Sequence, residues 1–270
     1  MKTSSLDLPR FGAGIGLART AALAGRLDLD LAALGRRSIV VAGSNGKGSV
    51  SRMLAALLAG TGERVGLFTS PHLHDFNERF ELAGKMIGDE PLSALEARVA
   101  AAIRAHMSDH PGDQPSAFEA TFLTALLWFE AGAADRLVIE AGIGGRYDPT
   151  RLLQPPCVAL VSLDAEHMPL LGTSLREVAL DKLDVAPPGA QVVLGRSLAG
   201  ERAAIDTVAS LKQIETLWVP DRFSASWSED RLGGHRLRLD HVRRGPLELS
   251  LALHGRFVRP RFSTRKRRFT

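Results

Sequence analysis

A chain of 270 residues with 45% apolar and 24% charged side chains has the composition of an ordinary globular protein large enough for a sizeable core. No uninterrupted apolar stretch approaches the roughly 20 residues needed to cross a bilayer, and Asp7, Pro9 and Arg10 break any signal-peptide core. The expectation is a cytoplasmic protein with no membrane partner. The net charge of +4 belongs to the C-terminal end: residues 256–270 hold seven Lys or Arg and no acid, and removing those seven leaves −3. A basic tail can bind nucleic acid, but a solvated end is the commoner explanation, so no nucleic-acid partner is expected.

Helical periodicity over 16–27 opens the chain. The apolar run Ser38–Ala42 then reads as a buried strand, followed by Gly43-Ser-Asn-Gly-Lys-Gly-Ser49 and a helix over 48–58. Further strands are expected at 64–69, 137–140, 158–163 and 191–194, with helices at 92–107, 118–130 and 175–182. The only cysteine, Cys157, excludes an internal disulfide and, within Cys-Val-Ala-Leu-Val, reads as a buried strand residue rather than a nucleophile. Alternation of this kind predicts an α/β fold, a mostly parallel sheet flanked by helices with a phosphate-binding P-loop. Near Thr216 the pattern turns to period two: Leu217-Trp-Val, Arg236-Leu-Arg-Leu and 247–253, with turns at Gly233-Gly234 and 244–246, predict a small antiparallel β region.

Strand, glycine turn and helix bring free backbone N–H groups and the positive end of a helix to one point, where an anion is favoured. Gly43, Ser44, Asn45, Gly46, Lys47, Gly48 and Ser49 are therefore candidate phosphate ligands, although the spacing is shorter than in the commonest P-loop. Lys47 adds a positive charge and Ser49 a hydroxyl suited to a phosphate-bound Mg²⁺. A solvated glycine turn is the alternative. Thr69-Ser-Pro-His-Leu73 follows the second strand, so Ser70 and His72 are placed to face the same ligand.

These stretches, with Phe76-Asn-Glu-Arg79, Ser116-Ala-Phe-Glu119, the segment from Glu140 through Gly-Gly to Asp148, Glu166-His167, Leu170-Leu-Gly172 and Lys182, resemble the folylpolyglutamate synthase/dihydrofolate synthase family of the Mur ligase superfamily. The resemblance runs over most of residues 10–255. It implies that ATP phosphorylates a substrate carboxylate and that the amine of L-glutamate attacks the acyl phosphate. A pterin or folate, glutamate and ATP would be the small-molecule partners, with Mg²⁺ as the metal and a monomer as the assembly. By the resemblance Ser49, Ser70, Glu140 and His167 hold the metal, and Lys47, Lys182 and His167 act at the reacting centre. Ser116, Phe118 and Asp148 line the pterin pocket. Other readings stay open for several of them: a turn-capping carboxylate for Glu140, a surface histidine for His167, and helix core for Phe118, since Phe122 and Leu126 follow on its face. Lys182 is a position often carbamylated in the family, or it pairs with Asp181 or Asp184.

The chain also departs from the pattern. Residues 1–255 are expected to form the ATP-binding domain, with 256–270 a basic linker start or aberrant tail. The family's second domain is expected to be missing from this chain. Val258, Arg261, Arg151 and Pro149 stand where the family has other residues. A shifted reading frame over 258–269 can be written that restores the family's Gln and an alanine-rich helix start. An impaired ligase, a nucleotide-binding remnant and another Mur-type amino-acid ligase are the functions carried forward.

Overall fold

In the computed structural model the described residues are 4, 6–165, 171–229, 235–243 and 245–251. The chain divides into two compact units, Met1–Trp218 and Val219–Thr270, so the late antiparallel strands form a unit apart from the parallel sheet. The tail at 256–270, the turn at 233–234 and His167 lie outside the described residues.

The first unit is built on strands β1 (Ser38–Ala42), β2 (Val65–Phe68), β3 (Phe80–Leu82), β4 (Lys85–Met86), β5 (Arg136–Glu140), β6 (Cys157–Leu160), β7 (Gln191–Leu194) and β8 (Glu215–Trp218). Their order is β4-β3-β2-β5-β1-β6-β7-β8. From β2 to β8 neighbours run parallel, and only β3 and β4 are antiparallel. Leu217-Trp218, expected in the antiparallel region, instead closes the parallel sheet. β8 is its edge strand, exposed at Glu215 and buried only at Trp218, and a half-covered edge produces the period-two pattern.

Helices α1 (Leu17–Arg26), α2 (Leu31–Arg36), α3 (Lys47–Ala59), α4 (Asp89–Asp109), α5 (Ala117–Ala131), α6 (Leu175–Leu183) and α7 (Arg202–Leu211) cover the sheet. Successive β1 residues point to opposite faces, and each face has its own core. Val40 joins the larger one with Leu23, Phe68, Phe80, Phe122 and Leu126, while Val41 joins Ala55, Val65, Leu67 and Val138 beneath α3. The continuous apolar runs of β1 and β5 follow from this double coverage. Helix α5 is apolar nearly all round, with residues 119–127 and Phe129 buried, as suits a helix inside the larger core. It starts at a capping box in which Ser116 Oγ accepts from Glu119 N–H and the Glu119 carboxylate accepts from Ser116 N–H.

In the second unit a helical turn, Val219–Arg222, leads into β9 (Phe223–Glu229), β10 (His235–His241) and β11 (Gly245–Leu251), antiparallel in the order β11-β10-β9. Register sets Leu237 opposite Trp227 and Leu249, and Leu239 opposite Ala225 and Leu247.

Candidate functional site

The chain crosses from β1 to β2 on one side and later continues through β6, β7 and β8 on the other, so β1 is the point where the strand order reverses. Ligands in open parallel sheets gather beyond the carboxyl ends of strands at such a point. The loops after β1, β2, β5 and β6 meet there.

After β1 the chain turns sharply at Gly43 (φ 144°), where a Cβ would lie 2.8 Å from Val161 Cγ2 and 3.0 Å from Ser162 N. Only glycine fits that approach and that dihedral. Gly46 (φ 82°) then caps α3 in the left-handed conformation, with no side chain bonded to the first helical N–H groups. Side chains on the loop after β6 hold the cradle open. Ser44 N–H donates to Ser162 O (3.0 Å), Asn45 N–H to Ser162 Oγ (2.7 Å), and Ser162 Oγ to Asn45 O (2.7 Å). Asp164 N–H donates to Ser44 Oγ (3.0 Å), and Asn45 Nδ2 to Asp164 Oδ2 (3.3 Å). Lys47 Nζ curls over the loop and donates to Gly43 O (3.1 Å) and Ser44 O (3.3 Å), while Ser49 is exposed one position beyond Gly48.

Glu140 ends β5 and is buried, 4% exposed. Its Oε2 accepts from Ser70 N–H (2.9 Å) and lies 3.3 Å from where a Cβ on Gly48 would be. Its Oε1 accepts no hydrogen bond among the described residues. Burial raises its pKa, against the backbone bond from Ser70 and the charges of Lys47, Arg52 and Arg79, which favour the carboxylate. A buried carboxylate beside a helix N-terminus, with one oxygen unengaged, is suited to a hard cation. Among the described residues no group of three or more His, Cys, Asp or Glu converges. The donor set on view is one carboxylate with the nearby Ser49 and Ser70, which fits Mg²⁺ because that ion keeps several waters.

The loop after β2 is organised by the segment that follows it. Glu78 gathers the N–H groups of Leu73, His74 and Asp75 at 2.9–3.0 Å, and these backbone bonds lower its pKa to about 2. Arg79 pairs through its backbone with Thr69 (3.2 Å), lays its guanidinium over the Phe76 ring (5.2 Å) and donates from Nε to His72 Nδ1 (3.0 Å). Arg52, by contrast, is answered by Glu81 (3.0 Å).

The expected pterin residues are near β5 but differently engaged. Phe118 is half-buried and packs between Phe68 (centroids 5.9 Å) and Gly142, where a Cβ would meet its ring at 2.8 Å. Ser116 is committed to the capping box, and its hydroxyl donates to Glu119 Oε2 (2.8 Å). Asp148 is buried and accepts four bonds from its own loop: Gly142 N–H (2.8 Å), Ile143 N–H (3.1 Å), Thr150 N–H (3.0 Å) and Thr150 Oγ (2.6 Å). These occupy its acceptor sites; burial raises its pKa and the four bonds lower it, with burial prevailing.

Lys182 is among the largest fully buried side chains, 2% exposed, near the end of α6. The end of α6 lies against the loop after β5: a Cβ on Gly145 would lie 2.6 Å from Lys182 O, and Gly145 N–H donates to Asp181 Oδ2 (3.0 Å). Asp184 pairs with Arg146 (2.6 Å) and Lys212. Burial disfavours the Asp184 carboxylate, but these two cations outweigh it and hold its pKa low.

Ser162, Asp164, Glu78 and Arg79 belong to this site as much as the residues the sequence singled out. Polar residues directly after the apolar run of β6 were the available signal for the first two.

No model of a known protein family matches the chain. It is 35% identical over 185 residues to the dihydrofolate synthase/folylpolyglutamate synthase of Bacillus subtilis, which covers 68% of this chain and 42% of that protein. To the folylpolyglutamate synthase of Lacticaseibacillus casei it is 34% identical over 194 residues, 71% of this chain and 44% of that one. A solved folylpolyglutamate synthase–AMPPCP–folate complex superimposes with a TM-score of 0.82 at 28% identity, covering 90% of this chain and 59% of the solved one. The chain thus spans less than half the length of the curated relatives it matches. On this sequence identity and this superposition, the chain belongs to the folylpolyglutamate synthase/dihydrofolate synthase family.

Proposed function

We propose that the chain is the phosphate-handling part of an ATP- and Mg²⁺-dependent ligase that joins L-glutamate to dihydropteroate or to folate glutamyl tails. The observation that carries this reading is the meeting of the uncapped α3 N-terminus, Lys47 and the buried Glu140 carboxylate at the switch point of the sheet. Transfer of a phosphoryl group needs little covalent help and much positioning and positive charge. The α3 N–H groups and Lys47 would bind the triphosphate and orient its terminal group. Glu140, with the hydroxyls of Ser49 and Ser70, would hold Mg²⁺, which neutralises charge on the phosphate oxygens. His167 as a further ligand and Lys182 as a buried group near the reacting carboxylate complete the proposal, and the exposed edge of Phe118 would offer a face for the pterin ring. A related solved enzyme in complex with AMPPCP and folate supports the pairing of nucleotide and folate.

The test is nucleotide binding by the full chain with and without Mg²⁺, followed by ADP release on adding dihydropteroate and glutamate. Mg²⁺-dependent ATP binding with substrate-dependent ADP release supports the ligase. Binding with no ligation product supports the nucleotide-binding remnant instead, and no binding refutes both.

A further inference from the structure

Several arginines of this chain meet a carboxylate. Arg19 is held by Glu119 and Asp113, Arg146 by Asp184, and Arg52 by Glu81. Arg79 is different. It is half-buried, and its Nε is used by a histidine nitrogen rather than by a carboxylate. A guanidinium only donates, so His72 Nδ1 must accept, and the imidazole is neutral with its proton on Nε2. His72 therefore supplies orientation without compensating charge. Phe76 supplies a second constraint, its ring lying under the guanidinium at 5.2 Å and meeting His72 edge-on at 5.7 Å. The plane of the fork is thus fixed by two groups, while Nη1 and Nη2 find no acceptor among the described residues and are not sealed from solvent. Holding a cation in this way costs desolvation free energy, which an arriving anion would recover.

The position says which anion. Arg79 O accepts from Thr69 N–H, and the next residue, Ser70, donates its N–H to Glu140. The Arg79 charge and the Glu140 carboxylate also act on each other through space, so the fork lies near the carboxylate proposed for the metal. With a divalent cation on Glu140, a second cation alongside is tolerated only if an anion lies between them. A phosphoryl group matches that gap and the bidentate geometry of the fork.

We infer that Arg79, oriented by His72 and Phe76, receives the terminal phosphoryl group of ATP and makes this site bind ATP in preference to ADP. The inference rests on the nucleotide reading above and adds a discriminating contact to it.

Titration calorimetry of the full chain with MgATP and with MgADP tests it. The Arg79→Met variant keeps an unbranched apolar side chain at the position but loses the charge. It is expected to bind MgATP about tenfold or more weaker while MgADP changes less than about twofold. Arg79→Lys retains charge without the fork and should fall between. His72→Ala should lower the ATP preference through a misaligned fork, and His72→Asn, whose amide oxygen can accept from Nε, should restore part of it. A wild-type ATP/ADP ratio in Arg79→Met overturns the inference, as does an equal loss of both nucleotides with an unchanged melting profile. If the wild-type chain binds neither nucleotide, the nucleotide reading itself fails and takes this inference with it.

Discussion

At the scale of single residues the site sets charge against burial. Burial favours the protonated form of Glu140 in the folded chain and raises its pKa. Because its folded pKa is raised, its contribution to stability is full below the unfolded value and is lost as pH rises through the folded one. Glu140→Gln should therefore raise the melting temperature of the Mg²⁺-free protein at pH 7, while weakening Mg²⁺-dependent ATP binding by more than about tenfold. A variant that melts lower yet binds MgATP normally would refute this account. Glu78 has the opposite sign. Its pKa, lowered to about 2, gives stability that is present above the ordinary carboxylate range and lost as pH falls from about 4.5 toward 2. In Glu78→Gln the amides of Leu73, His74 and Asp75 should exchange with solvent markedly faster than in the wild type, measured by hydrogen exchange at neutral pH, while those of β1 keep their protection.

Among the helices, α5 contributes more buried residues to the larger core than any other. Phe122 is fully buried, and Phe122→Ala should cost about 3–5 kcal/mol in urea unfolding. Ser116→Ala removes the acceptor of the capping box and one donor to the buried Glu119 carboxylate, for a loss of about 1 kcal/mol in the same assay. This second change separates a helix cap from a substrate ligand: a cap lowers stability whatever the folate affinity does. The long elements were legible because their periodicity is strong. β1 and β7 fall on the expected residues, and α3, α4, α5 and α6 extend the expected helices by a few residues at each end at most. The misses share a cause in shortness or weak contrast. β3 and β4 have three and two residues, and α7 turns only Ile205 and Ala209 fully inward. The cradle itself was legible from local sequence, since glycine, lysine and hydroxyl are adjacent. Its supports were not, because Ser162 and Asp164 act on residues 117–120 positions away. Nor did spacing suggest that Asp184 would bond Arg146 and Lys212, which lie 38 and 28 positions away.

For the whole molecule, the described phosphate-site residues all lie in the first unit, which has cores on both faces of its sheet. MgATP at a hundred times its dissociation constant should stabilise the chain by about 2.7 kcal/mol, with a melting temperature that rises with nucleotide concentration. A fragment ending at Trp218 should retain that nucleotide-linked shift, and its loss would show that 219–270 is needed to build the site. The bonds from Ser44 and Asn45 to the loop after β6 also bear on how the molecule acquires its cradle. Hydrogen bonds spanning 117–120 residues cannot form until β6 has docked against β1, and closing so long a loop is a late, entropically opposed step. During refolding, phosphate affinity should consequently appear with the last fraction of native signal rather than with the early helical signal. The same delay applies on the ribosome, where α3 can coil long before its N-terminus has walls around it.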